Sequence, residues 1–439
     1  MASSPIVQAY EFFSAGRYDE VAEACGRILA AAPLNAEANH LLGVVRFQQG
    51  RPAEGIEHLR RAAEAPDTSP EMQNNYGAVL NQLGRTEEAI AAFERALELN
   101  PDYADALNNL GVLYRDAKKT DAAIAAFKRA VDLAPGMSQA KANLRSAYRD
   151  IVPAWHFAMM DDRRRNTAYR AAIGRAVQGK RVLDIGTGAG LLAMMAAEAG
   201  AAHVTTCEAV PIIAERAREI VARNGLSERI TVIGKPSTEL SVGSDMPERA
   251  QVLITETFAS ALIGEGILPT LEHAHAHLLT PEAAIIPRAG SVMGYLAGGE
   301  TLKGMLFVDR IEGFDLSPFN DFAPPILVSS LDGVPHEALS DDLELLRFEF
   351  KDWNFPMAKH RLMVRATRSG LCSGIAQWIR LELDRETSYE NRPAQAREHN
   401  GHWTHLLHRF PRLVPVQEGD TFAITVRHDR GQVNIDLDE

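Results

Sequence analysis

Residues 180–200 read KRVLDIGTGAGLLAMMAAEAG, and the order of residue types in that stretch decides the fold of the chain's second part. A short strand-like run, Val182 to Ile185, leads into glycines at 186, 188 and 190, and an alanine- and methionine-rich stretch suited to a helix follows. Glycine there lets the backbone pass close to a ligand at the carboxyl end of the strand, where doubly wound α/β sheets bind cofactors. The spacing is G-x-G-x-G with Asp184 before it, not the G-x-G-x-x-G that seats a pyrophosphate on a helix N-terminus. A second strand, HVTTCE (203–208), ends in Glu208, whose carboxylate can accept both hydroxyls of a ribose. Strands and helices alternate beyond residue 150, which predicts a Rossmann-like parallel sheet flanked by helices.

VLDIGTGAG followed by an acidic strand end resembles the class I methyltransferase signature, which implies S-adenosyl-L-methionine as cofactor. Downstream, QVLITETFASALIGEG (251–266) reads as a strand ending at Glu256, with Glu265 nine residues later. Loops at these strand ends face the cofactor, so two carboxylates can converge where a methyl group leaves sulfur. Arginine chemistry needs such a pair. A guanidinium stays protonated up to a pKa of about 12 or more and its lone pairs are delocalised, so it is a poor nucleophile. Two carboxylates can grip it bidentately, draw charge from the attacking nitrogen and hold that nitrogen in line. One of them can accept the proton that leaves.

Flanking segments extend the pattern. WHFAMMDDRRRNTAY (155–169) upstream and GHWTH (401–405) downstream, with the glutamate loop, resemble the protein arginine methyltransferase family over about residues 151–439. The run GKPSTELSVGSDMPERAQVLITETFASALIGEG is similar to the monomethylating type III member, whereas a repeat array in front is a feature of the type II member. The resemblance implies a cofactor domain (151–287), then a β-barrel (288–439) with a helical arm near 300–335 that forms a ring-shaped homodimer. It implies that Arg165 pairs with the cofactor's carboxylate, that Asp184 lies beneath the loop of Gly186, Thr187 and Gly188, and that Glu208 holds the ribose. Ser237 stands where the adenine edge is bound, and Met159 would pack near the reacting guanidinium. His402 and Trp403 match a histidine–tryptophan loop, with His402 placed to pair with Asp162. The chain departs from the type III member at Ala259 and Ala261, where that member has acidic residues, so substrate preference does not carry over.

The first 150 residues repeat themselves. Gly43, Gly77 and Gly111 are 34 apart, as are Ala62, Ala96 and Ala130, and Leu59, Phe93 and Phe127. Pro33, Pro101 and Pro135 close units, with Pro66 one residue off register. Small residues let two antiparallel helices approach, and proline ends the second helix of a unit. The period resembles the tetratricopeptide family and predicts an all-α solenoid of four units with a capping helix near 136–150. Such arrays bind peptide segments, and Asn74, Asn75, Asn108 and Asn109 on the first helices are candidates to bond one.

Composition narrows the partners. The net charge of −12 disfavours direct nucleic-acid binding and welcomes a basic, arginine-rich substrate. No apolar run reaches the roughly 18–20 residues of a membrane span. The first twenty residues lack a basic, apolar leader, and three scattered cysteines (Cys25, Cys207, Cys372) suit a reducing cytoplasm. His273 and His277 share a helix face but have no third ligand, so no metal is expected. The reading is an arginine N-methyltransferase acting on protein or peptide arginine, with a substrate-recruiting array. The alternatives are the same chemistry on free arginine or a guanidino metabolite, and an adaptor whose transferase module is inactive.

Overall fold

The computed structural model describes residues 4–152, 155–352, 354–394 and 403–438. The chain divides into two compact units, Met1–Pro153 and Ala154–Glu439.

The first unit is built of helix pairs: Pro5–Ser14 with Tyr18–Ala31, Ala36–Gln48 with Pro52–Ala63, Pro70–Gln82 with Thr86–Leu99, and Ala104–Asp116 with Thr120–Leu133. The helix Ser138–Ile151 follows them. The glycine period has a steric cause. A Cβ on Gly43, Gly77 or Gly111 would stand 2.6, 2.8 or 2.6 Å from the Leu59, Phe93 or Phe127 side chain of the partner helix. The large side chain thus lies against bare backbone within each pair. Asparagines tie one repeat to the next: Asn109 Nδ2 donates to Asn74 Oδ1 and Asn143 Nδ2 to Asn108 Oδ1, each at 2.9 Å, while Asn75 bonds His40 at 2.9 Å. The four asparagines expected to meet a peptide bond between repeats, because positions 35 apart, one beyond the repeat step, come within side-chain reach on neighbouring helices.

In the second unit, five parallel strands are laid in the order β3-β2-β1-β4-β5: β1 (Arg181–Ile185), β2 (His203–Cys207), β3 (Ile230–Ile233), β4 (Ala250–Thr255) and β5 (Leu279–Ile286). Helices Arg163–Ala176, Leu191–Glu198, Pro211–Arg223 and Ile267–His273 accompany them. The order reverses between β1 and β4, and such a switch point opens a crevice at the strands' carboxyl ends.

Beyond β5 the strands are antiparallel. A seven-stranded sheet centres on Ala289–Gly298, Gly370–Glu382 and His405–Val416, and a three-stranded sheet contains Ala358–Arg365, Thr421–His428 and Val433–Leu437. No ring of pairings closes into a barrel among the described residues. On one side the larger sheet ends in Glu337–Ala338 and Leu343–Glu349, both paired with Ala289–Gly298, and on the other in Ile326–Ser329. One buried cluster nevertheless runs from Leu183 and Ile254 through Leu262 and Phe350 to Val292 and Ile379, so parallel and antiparallel parts share a core.

The segment near 300–335 holds helix Glu300–Leu306, a hairpin of Arg310–Ile311 and Phe314–Asp315, and the turn Ser317–Phe322. Leu302 and Leu306 anchor it beside Trp378 and Tyr295, while its tip leaves Phe314 71%, Phe319 66% and Phe322 79% exposed. No helix among the described residues is long and apolar enough to cross a membrane.

Candidate active site

The turn after β1 is set by backbone shape. Gly186, Gly188 and Gly190 have φ of 89°, 50° and 80°, which disfavours any residue with a Cβ, and a Cβ on Gly186 would lie 2.5 Å from Thr257 Cγ2. The amides of Gly186 and Thr187 donate to the Cys207 carbonyl at 3.0 and 3.1 Å, tying the turn to the end of β2. Glu208, one residue on, is oriented by backbone donors at both oxygens: Gly188 N–H at 3.0 Å and Val210 N–H at 3.1 Å. Each oxygen keeps lone-pair capacity for a ligand hydroxyl. Beneath the turn, buried Asp184 accepts from Thr206 Oγ1 at 2.7 Å, and Thr206 meets Thr187 at 2.6 Å. Burial pushes the Asp184 carboxyl up to about 7, against the pull of Thr206 and Arg165, and its Oδ1 has no hydrogen-bond partner.

The helix Arg163–Ala176 carries the next group inward. Asp162 caps it by accepting from the Arg165 amide at 2.9 Å, and its other oxygen accepts from the Tyr389 hydroxyl. Arg165 is 3% exposed and donates from Nη2 to Glu256 Oε2 at 2.9 Å. Burial works against its charge, yet Glu256 holds the guanidinium above its ordinary value. The Tyr169 hydroxyl donates to the Thr255 carbonyl at 3.1 Å, fixing the same helix to the end of β4.

Glu256 opens a loop that the antiparallel sheet supports from behind. Trp403, 7% exposed, donates its indole N–H to the Phe258 carbonyl at 2.7 Å, and the Thr404 amide donates to Ser260 Oγ at 3.1 Å. Within the loop Leu262 and Glu265 are held at φ of 69° and 58°, conformations that cost a side-chain-bearing residue energy and gather at functional sites. Glu265 is exposed at the turn Gly264–Gly266.

The structure thus joins Asp162, Arg165 and Glu256 in one hydrogen-bonded chain, and Asp184, Thr187, Gly188 and Glu208 in a second one around the glycine turn. Ser237 is buried in the short turn Ser237–Glu239, and Met159 is half-buried in the helix Trp155–Asp161. Arg165 donates to Asn166 and Glu256, and its buried Nε is left without a partner. Asp162 bonds the Arg165 amide and the Tyr389 hydroxyl, and His402, expected to pair with it, lies outside the described residues. Trp403 of the expected histidine–tryptophan loop donates its indole N–H to the loop backbone. Tyr389 had no signal in the sequence, because it stands 227 residues from the carboxylate it meets. Among the described residues no group of three or more His, Cys, Asp or Glu is placed to hold a metal ion.

Two orphaned buried atoms fit an incoming ligand: Arg165 Nε is a donor suited to a carboxylate, and Asp184 Oδ1 is an acceptor suited to a cation or a donor group. A doubly wound sheet with this glycine turn, and a carboxylate closing its second strand, defines a methyltransferase domain. Residues 171–284 match the ribosomal protein L11 methyltransferase (PrmA) family, and residues 6–70 and 68–135 match tetratricopeptide repeat families. The chain is 38% identical over 278 residues to the arginine N(omega)-methyltransferase of Streptomyces achromogenes subsp. streptozoticus, covering 62% of this chain and 75% of that protein. It belongs to the arginine N-methyltransferase family. Protein arginine N-methyltransferase 7 of Mus musculus is 33% identical over 303 residues (62% of this chain, 44% of that one), and that of Drosophila yakuba 30% over 328 (64% and 47%). The chain therefore spans less than half the length of these two relatives. Two solved structures share its fold. The Trypanosoma brucei PRMT1 enzyme–prozyme heterotetrameric complex with AdoHcy has TM-score 0.56 at 21% identity, covering 66% of this chain and 95% of that one. Arabidopsis thaliana protein arginine methyltransferase 10 has TM-score 0.51 at 20% identity, covering 61% and 86%.

Proposed function

We propose that the chain transfers a methyl group from S-adenosylmethionine to a guanidino nitrogen of arginine in a protein or peptide. The observation that carries this is the Arg165–Glu256 pair: the carboxylate ending β4 already holds one guanidinium, at 2.9 Å, beside the glycine turn. The cofactor supplies, when bound, a methyl group carried on a sulfonium. Glu208 would hold the ribose hydroxyls, Ser237 the adenine edge and Arg165 Nε the carboxylate. Glu256 and Glu265 hold the acceptor guanidinium, fix its nitrogen and draw charge from it, and one carboxylate takes up the proton released. Met159 lines the acceptor side. The exposed phenylalanines of the 300–335 arm support a homodimer, since contiguous apolar surface marks an interaction site. The repeat array would recruit substrate by raising its local concentration, and the cytoplasm is the proposed compartment.

A second reading, methylation of free arginine, is favoured by the name of the Streptomyces relative, which specifies arginine rather than protein. Mass spectrometry after incubation with isotopically labelled cofactor separates the two. Label in arginine-containing protein or peptide, with none in free arginine, supports the first. Label in free arginine alone supports the second. Label in neither contradicts both.

A further inference from the structure

The hairpin Gly370–Glu382 with Ser388–Glu390 grips the helix Arg163–Ala176 at both ends. Near its turn, Asp384 accepts from Arg175 Nε at 2.8 Å, close to the helix C-terminus. On its short strand, Tyr389 donates its hydroxyl to Asp162, the residue that caps the helix N-terminus.

Tyr389 is held from several sides. Its backbone pairs with Leu381, and its ring centroid is 5.6 Å from that of Trp403. The neighbouring Glu390 accepts from Trp378 Nε1 at 3.2 Å and Arg380 Nε at 3.0 Å. Burial and the Asp162 carboxylate both push the phenol above its ordinary value, so it remains a donor. Asp162 hands the constraint on: its other oxygen fixes the Arg165 amide at 2.9 Å, and Arg165 fixes Glu256 at 2.9 Å. Trp403, the ring beside Tyr389, holds the Phe258 carbonyl two residues past Glu256. Glu256 is therefore set from one side through Tyr389, Asp162 and Arg165, and from the other through Trp403.

We propose that Tyr389 is a positioning residue of the methyltransferase site, acting through Asp162 on Arg165 and Glu256. A hydrogen bond to a carboxylate is stronger than one between neutral groups, and here it sets the start of the helix on which the Arg165 guanidinium is carried. The inference rests on the reading given under Proposed function: its acceptor half on Glu256 holding the guanidinium, its cofactor half on Arg165 Nε meeting the cofactor's carboxylate.

The test is Tyr389→Phe, which removes the hydroxyl and keeps the ring beside Trp403. In the full-length protein, cofactor Kd by calorimetry should rise about tenfold, the scale of one net hydrogen bond. kcat on an arginine peptide should fall about tenfold with acceptor KM changed less than about twofold, because orientation and not acceptor capture is lost. Asp162→Asn keeps a good helix cap, so Tyr389→Phe should add little to it, whereas independent effects would multiply. If Tyr389→Phe lowers the melting temperature but leaves cofactor Kd and kcat unchanged, Tyr389 is only structural and the proposal fails. Multiplying effects of the two substitutions overturn it as well. If wild type methylates no arginine substrate, the proposed function fails, while the cofactor Kd series still decides whether Tyr389 positions Arg165.

Discussion

The Arg165 guanidinium and the Glu256 carboxylate, 91 residues apart in sequence, meet at 2.9 Å with side chains 3% and 5% exposed. A buried pair of this kind adds little net stability, but removing one partner strands the other charge at a cost of about 3–5 kcal/mol. Arg165→Met should therefore lower the melting temperature by several degrees and weaken cofactor binding together, as read by scanning calorimetry and titration on one preparation. Unchanged values of both would show that the pair does no work in the folded protein.

Asp184 predicts a pH dependence. Its carboxyl is raised from 3.8 to about 7 by burial, so the folded state keeps a proton that the unfolded state releases between those values. Its contribution to stability is therefore present below the ordinary value and lost as pH rises toward 7. At about 1.4 kcal/mol per unit, the swing is on the order of 4 kcal/mol. Asp184→Asn should gain stability relative to wild type as pH is raised from 4 to 7 in urea titrations. A difference that stays flat across that range would contradict the assignment.

The repeat glycines predict a steric penalty in the first unit. A Cβ on Gly111 would sit 2.6 Å from Phe127, whereas Gly136 has nothing within 4 Å of such an atom. Gly111→Ala should cost about 1–3 kcal/mol and be partly rescued by Phe127→Leu. Gly136→Ala should be close to neutral. Thermal melts followed by circular dichroism rank the variants, and equal effects at both glycines would refute the close-packing account.

The arm predicts an oligomeric state. Replacing Phe314, Phe319 and Phe322 with serine removes its exposed apolar tip without touching the buried anchors Leu302 and Leu306. Light scattering should then report a monomer where wild type is a dimer. A wild-type monomer, or a triple variant that remains dimeric, would remove the arm from the account.

Much of the architecture was legible because its signals are local or periodic. The glycine turn from Gly186 to Gly190 specifies its backbone within five residues, and Gly77 and Gly111 repeat with the aromatic rings that cover them. Contacts made by distant segments were not legible. Nothing near Asp162 announces that its cap oxygen is shared with Tyr389, and nothing near Phe258 announces Trp403. The bonds between asparagines were not legible, because a repeat displays the same side chain on every unit whichever neighbour it meets. The same regularity brings Asn74 within 2.9 Å of Asn109. How the antiparallel strands pair was not legible for a different reason: apolar alternation identifies strands but not which edges meet, and strands as short as Glu337–Ala338 carry little pattern.

Turnover by Glu265→Gln decides whether two carboxylates hold the acceptor guanidinium. Glu265 is exposed, held at φ 58° in the loop that begins at Glu256, and takes no part in the buried Arg165 pair. Its loss should therefore leave the cofactor site and the fold intact. Holding the acceptor guanidinium is its assigned task, so kcat on an arginine substrate should fall at least about a hundredfold, the scale for an oriented catalytic group. Cofactor Kd and melting temperature should stay near wild type. Turnover within a few-fold of wild type would contradict the two-carboxylate clamp, and with it the assignment of this loop to arginine.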